Sequence, residues 1–260
     1  MSEVGNNSSN ANGAQDAASR KRTILSVVVV LVLAPLTLWL STQMGNVSYY
    51  VPSVLIVIYT MVPFFVSFES RKPGARELVM LAVMAALAVA SRAAFFWLPN
   101  FKPMAGVIAI AGIALGAQSG FLVGSLSMFA SNIIFGQGPW TPWQMFAYGL
   151  VGFVAGLLAD HGIIPREKLS KGTLVALCCG AFVFMVLVVG PILDTSSVLT
   201  MLSTVNLEGA IPIYLAGLPV NASQGVATFL TLLLVCNPLL GMIARVKKKY
   251  GMGTYVAKAA

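Results

Sequence analysis

Arg92 stands inside an otherwise apolar stretch, a few residues from its end. A guanidinium in hydrocarbon is costly unless it snorkels to the interface, pairs, or lines a polar cavity. No embedded acid is at hand to neutralise it, which favours an anionic or amide-rich ligand; snorkelling or a structural pair is the other reading. Three amides, Asn132, Gln144 and Asn237, lie inside apolar runs or near their ends. Amides can satisfy a planar polar ligand through paired donors and acceptors. Asn132 and Gln144 flank the link Phe135-Gly-Gln-Gly-Pro-Trp-Thr-Pro-Trp143, so Trp140 and Trp143 could stack on a flat ring beside them. The competing reading is an interfacial aromatic belt that only marks membrane depth. Trp97 opens a second Pro-containing link, Trp97 to Pro103, and Asp194 opens a third, 193–222. These eight residues form the candidate substrate-binding set.

Enzyme signals are missing from the sequence. There is no Ser-His-Asp set, no acidic pair within a span, and no Gly-Lys-Ser/Thr phosphate loop. The single histidine, His161, sits in a charged link and reads as a surface residue. Cys178, Cys179 and Cys236 lie in apolar stretches without metal or redox spacing. No metal, cofactor or catalytic residue is expected. Membrane-embedded acids for proton coupling and paired broken helices are also lacking, so a self-sufficient secondary transporter is disfavoured.

The elements that must position these residues are membrane spans. Of 260 residues 58% are hydrophobic and 9% charged, and the mean hydropathy is +0.86. Soluble domains carry about 25% charged residues, so this is an integral, all-α polytopic membrane protein. Spans of roughly 20 residues are expected near 23–42, 52–68, 77–97, 103–116, 120–135, 142–160, 171–192 and 223–243. The 103–116 segment is short enough to be re-entrant or tilted, and Pro52 and Pro63 suggest a kink in 52–68. Residues 1–22, rich in Asn, Ser, Ala and Gly, read as a disordered tail, and 246–260 as a basic one. Arg20-Lys21-Arg22 ahead of a long apolar run reads as an uncleaved signal-anchor.

Charge sets the expected topology. With a cytoplasmic N-terminus, the inner segments hold Arg20, Lys21, Arg22, Arg71, Lys72, Arg76, Arg166, Lys168, Lys171, Arg245, Lys247, Lys248, Lys249 and Lys258, all but two of the 16 basic residues. Lys102 falls outside and Arg92 within a span. This is the positive-inside pattern, with both termini cytoplasmic. It also explains the net charge of +8 without a nucleic-acid partner, for which no binding motif is present. The outer links are apolar, aromatic and rich in Pro and Gly, so the ligand side is expected outside.

Small residues recur every fourth position. Gly112, Gly116, Gly120 and Gly124 form one such row, Gly152 and Gly156 another, and Ala82, Ala86 and Ala90 a third. Such faces allow close helix contact, either within the bundle or, for the alanine row, with another membrane protein.

The alanine row, with Gly120-Phe-Leu-Val-Gly124, Ser131-Asn132 and the stretch Gly136 to Gln144, resembles the substrate-specific S components of energy-coupling factor (ECF) vitamin transporters. Among them the residues are most similar to those handling cobalamin. The resemblance covers roughly 77–245 and implies a six-helix substrate-binding core in a bacterial cell membrane, here preceded by an extra pair of helices over 23–76. It implies a transmembrane scaffold (T component) and two cytoplasmic ATPases as partners, with ATP hydrolysis confined to them. The face of Ala82, Ala86 and Ala90 would dock that coupling module. The vitamin would bind between the outer ends of the core helices, under the 98–102 and 193–222 links. Queuosine precursors, pyridoxine or a related vitamin are the other ligands of this class, and a structural membrane protein is the rival outside it.

Overall fold

The computed structural model describes residues 50–70, 73–202 and 206–251, together with 32, 33 and 36. The chain divides into two compact units, Met1–Pro73 and Gly74–Ala260. All regular structure among the described residues is helical. Six of these helical segments are long and apolar enough to cross a membrane, which makes this a polytopic membrane protein.

In the first unit the described element is α1, Tyr50–Ser70, with Pro63 inside it. Its apolar stretch, Val51–Glu69, covers the span expected at 52–68. The span expected at 23–42 lies outside the described residues apart from 32, 33 and 36, as do residues 1–22 and 252–260.

The second unit is a bundle. Its elements are α2 (Ala75–Ala94), α3 (Met104–Leu115), α4 (Ala117–Phe135), α5 (Thr141–Asp160), α6 (Lys171–Phe184), α7 (Gly190–Met201) and α8 (Leu207–Lys249). The shortest, α3, is the centre. Twelve residues rise only about 18 Å, too little to cross hydrocarbon of about 30 Å alone. Every one of them is buried, and α2, α4, α5 and α8 pack around it. A helix apolar on all sides belongs inside a protein, and there its short length leaves no backbone exposed to lipid.

The glycine rows bind α3, α4 and α5 together. A methyl added to Gly120 would lie 2.7 Å from the Cα of Gly112, and one on Gly156 would lie 2.5 Å from the Cα of Ala117. A methyl on Gly112 or Gly152 would run into the facing backbone, Gly152 and Gly120 respectively. These rows are therefore internal packing surfaces of the kind small residues make in membranes. Gly116, at φ 96°, turns the chain from α3 into α4. The Asp160 carboxylate accepts from the Ala117 N–H at 3.0 Å, capping α4, and is itself paired with Arg166.

Two sequence expectations are corrected here. The 193–222 stretch is not a long link, because helix continues to Met201 and resumes at Leu207. That stretch holds Pro212 and Pro219, and Pro191 falls in the span expected at 171–192, but each proline has an outlet in the helices. A π-helical turn, Met185–Val189, absorbs the broken ladder before Gly190-Pro191. Thr195 donates back to the Pro191 carbonyl at 2.7 Å, and Thr200 to that of Ser196 at 2.6 Å. Proline is tolerated inside α8 because neighbouring helices satisfy what it frees. The second correction is at the C-terminal end, where 246–249 are the last residues of α8, not the start of a tail. At 43 residues α8 is about 65 Å long, well beyond a bilayer's hydrocarbon.

Alternation of the helices puts two sets of chain turns at opposite ends of the bundle. One end gathers residues 75, 115–117, 160–171 and 249, tied by the contacts of Asp160 with Ala117, Ser119 with Glu77 and Arg76 with the Tyr250 carbonyl. This is the basic end. The other gathers 94–104, 135–141, 201–202 and 206–207.

Candidate functional site

Arg92, in the last turn of α2, reaches across to α4 near the sparsely charged end. Its Nη1 donates to Ser131 Oγ at 2.9 Å and to Asn132 Oδ1 at 3.1 Å, and lies 3.6 Å from the Met128 sulfur. The guanidinium carbon sits 4.7 Å from the centroid of the Phe135 ring, a cation–π contact. Nε and Nη2 have no hydrogen-bond partner among the described residues. The Arg92 side chain is thus held by one nitrogen, with three N–H bonds uncommitted.

Asn132 is buried to 1% exposure and forms the hub. Its Oδ1 takes the Arg92 bond, while Nδ2 donates to Gln144 Oε1 at 2.7 Å and to Thr141 Oγ1 at 3.2 Å. That leaves Gln144 Nε2 as a donor without a partner among the described residues. Thr141 also accepts from the Gly138 N–H at 3.2 Å and donates to Gln137 Oε1 at 2.9 Å, and Gln137 Nε2 donates to the Phe129 carbonyl at 3.0 Å. The 136–140 link is therefore pinned to both flanking helices. One turn further along α5, Tyr148 donates to Gln224 of α8 at 2.8 Å, both fully buried or nearly so.

The tryptophans of this end differ. Trp143, in the first turn of α5, has a buried indole N–H with no hydrogen-bond partner among the described residues. Such a group costs about 1–3 kcal/mol until something accepts from it. Trp97 and Trp140 are exposed, at 66% and 45%; Trp97 donates to the Ala94 carbonyl at 3.2 Å, and Trp140 covers Gly138. Nearby, burial and then the charge of Arg92 pull the Lys102 amine down to about 8.

The structure brings together Arg92, Asn132 and Gln144 of the sequence-derived set. Asp194 stands in a separate pair, where Asn221 Nδ2 donates to its Oδ2 at 2.8 Å and Gly217 leaves it room. The neighbouring Thr195 and Tyr214 hydroxyls are 2.7 Å apart, so this pair ties α7 to α8. Asn237 is not at this end at all. Its Oδ1 accepts from the Leu169 N–H at 2.8 Å and its Nδ2 donates to the Leu169 carbonyl at 3.1 Å, tying the basic-end link to α8. Both halves of that amide are spent on backbone, which corrects its assignment as a ligand contact. The alanine row is exposed at Ala82, Ala86 and Ala90, beside exposed Leu78, Val79, Val83 and Leu87.

Sequence reasoning placed Lys102 and the link containing Thr141 at this end but gave neither side chain a role, and it missed the Tyr148–Gln224 pair. Spacing could have found the pair: Tyr148 follows Gln144 by four residues, and Gln224 follows Asn221 by three, each on one helix face.

Comparison with known proteins agrees with the bundle. No solved structure matches the chain. A UPF0397 protein of Vibrio atlanticus is 30% identical over 106 residues, which cover 39% of this chain and 56% of that protein. A UPF0397 protein of Aliivibrio fischeri is likewise 30% identical over 104 residues, 38% of this chain and 55% of its own. The chain thus spans little more than half the length of the curated relatives it matches. The family described as "ECF-type riboflavin transporter, S component" matches residues 74–243, nearly the whole second unit. Its members are non-catalytic transport subunits, and the vitamin in its description is riboflavin, where the resemblance in the sequence pointed to cobalamin. With six membrane-crossing segments and this match along the bundle, the chain belongs to the ECF-type S-component family.

Proposed function

We propose that this protein is the substrate-binding membrane subunit of an ECF-type importer for riboflavin or a closely related flavin. The observation that carries the ligand is the family match over 74–243. The chemistry at the sparsely charged end supports it. Among the described residues, side-chain groups left without partners there include the donors Arg92 Nε and Nη2, Gln144 Nε2 and Trp143 Nε1. An isoalloxazine offers carbonyl oxygens and ring nitrogens that accept, on a flat apolar frame that aromatic side chains can cover. Arg92, Asn132, Trp143 and Gln144 form the inner contact set in this reading, and Trp97 and Trp140 the rim. Asp194 acts by holding α7 to α8.

The partners follow from the same reading: a transmembrane T component and two cytoplasmic ATPases, with Ala82, Ala86 and Ala90 as the docking face. The basic end of the bundle is cytoplasmic by the positive-inside rule, so the vitamin enters from outside. The apolar helix Val51–Glu69 lies ahead of the family core in sequence.

Riboflavin fluorescence tests the ligand. Titrating the purified protein into riboflavin should quench emission with a one-to-one endpoint, and excess cobalamin should not restore it. Unquenched emission, or full competition by cobalamin, would overturn the assignment.

A further inference from the structure

A cavity of about 320 Å³ lies on the flank of the bundle and reaches Ile163 and Ile164 of the basic-end link; none of Arg92, Asn132, Trp143 and Gln144 lines it. Its walls come from α3, α5, α6 and α8, with Ile163 and Ile164 of the link at its mouth. Among the described residues α5 and α6 hardly touch, so the cavity is a cleft between them. It is apolar except for Thr173 and Thr228, and the Thr228 hydroxyl is already spent on the Gln224 carbonyl. Gly180 keeps it open, since a methyl there would meet nothing.

Its length and charge specify an occupant. Along α6 it runs from Thr173 to Phe184, eleven residues or about 16 Å. That is about half of a 30 Å hydrocarbon layer, the depth of one leaflet. Lys168, in the same link as Ile163 and Ile164, and Lys171, two residues ahead of Thr173, are exposed and in no ion pair among the described residues, whereas Arg166 is neutralised by Asp160. Glu167 is the one acid between Ile163 and Thr173 in the chain, and the positive end of α6 begins at Lys171.

We infer that this cleft seats one acyl chain of an anionic phospholipid, whose phosphate lies against Lys168 and Lys171. The lipid belongs to the leaflet at the basic end and fills the side of the bundle where α5 and α6 do not pack. This site is separate from the vitamin site, so either proposal can fail without the other.

The test uses the full chain, delipidated in mild detergent and titrated with phosphatidylglycerol or with phosphatidylcholine of the same acyl chains. Bound lipid is counted by native mass spectrometry. One tightly held phosphatidylglycerol per chain is expected. Gly180→Leu, which fills the cleft and suits a helix better than glycine, should abolish that adduct while riboflavin binding persists. Lys168→Gln and Lys171→Gln should each lower the preference for phosphatidylglycerol about fivefold, as expected for one cation at an anionic surface. Equal adducts in Gly180→Leu and the parent, equal binding of the two lipids, or a protein chain occupying the cleft would overturn the inference.

Discussion

Replacing Asn132 by alanine separates a folding role from a binding role within one network. The change removes the Oδ1 that accepts from Arg92 Nη1 and the Nδ2 that donates to Gln144 and Thr141. A hydrogen bond to a charged group contributes about 1.5–3 kcal/mol and each neutral one about 0.5–1.5. Arg92 keeps Ser131 Oγ and the Phe135 ring, and half-buried Gln144 can turn toward water, so the loss in stability should lie at the low end, about 2.5 kcal/mol. Binding suffers for another reason. Arg92 and Gln144 lose the partner that fixes them, and immobilising each afresh around a ligand costs about 0.5–1.5 kcal/mol. Two such side chains make about 1–3 kcal/mol, so riboflavin affinity should fall roughly 5- to 150-fold. Fluorescence titration measures that loss, and thermal unfolding in the same detergent measures the first term. A folded variant whose Kd stays within about twofold of the parent would refute the argument that Asn132 preorganises the site.

Other outcomes follow from the same contacts. Gly152→Ala forces a methyl into the Gly120 backbone and should prevent accumulation of folded protein, while Gly172→Ala, which meets nothing, should be neutral or stabilising by about 0.5–1 kcal/mol; yield and unfolding midpoint distinguish them. Lys102 has a folded-state pKa of about 8, below its ordinary 10.5, so the unfolded chain binds the extra proton between those values and stability should rise with pH across that window. Lys102→Met should therefore be the more stable protein at pH 7, with its advantage shrinking as pH climbs from 8 to 10.5, as unfolding midpoints at several pH values would record. Ala86→Leu should leave riboflavin binding intact and abolish copurification with the coupling subunits. Asn237→Ala should lower the unfolding midpoint without changing Kd, because its amide serves only the Leu169 backbone.

Much of this architecture was legible in the sequence because hydrocarbon imposes simple rules. The apolar blocks marked the crossings, and the four-residue glycine rows marked contacts that here bring α3, α4 and α5 to backbone distance. The proximity of Arg92, Asn132 and Gln144 was partly legible, since an unpaired arginine and two amides beside one Gly-Pro link had few other outlets. The 193–222 stretch was not legible. Its prolines and hydroxyls carry the signals of a loop, and only the Asp194–Asn221 and Thr195–Tyr214 contacts between α7 and α8 give them a helical solution. Asn237 misled for a related reason. An amide in an apolar run looks the same whether it awaits a ligand or clasps the backbone of a residue 68 positions away. Ligand identity was beyond the residues: tryptophans and amides suit any flat, polar-edged ring, corrinoid or flavin alike.

The most direct test is to purify the protein in mild detergent from cells supplied with riboflavin and cobalamin together. The small molecule released on denaturation is then identified by its mass and absorption spectrum. A flavin at one equivalent per chain is the predicted result. Release of a corrinoid, or of neither vitamin from a folded protein, would contradict the account.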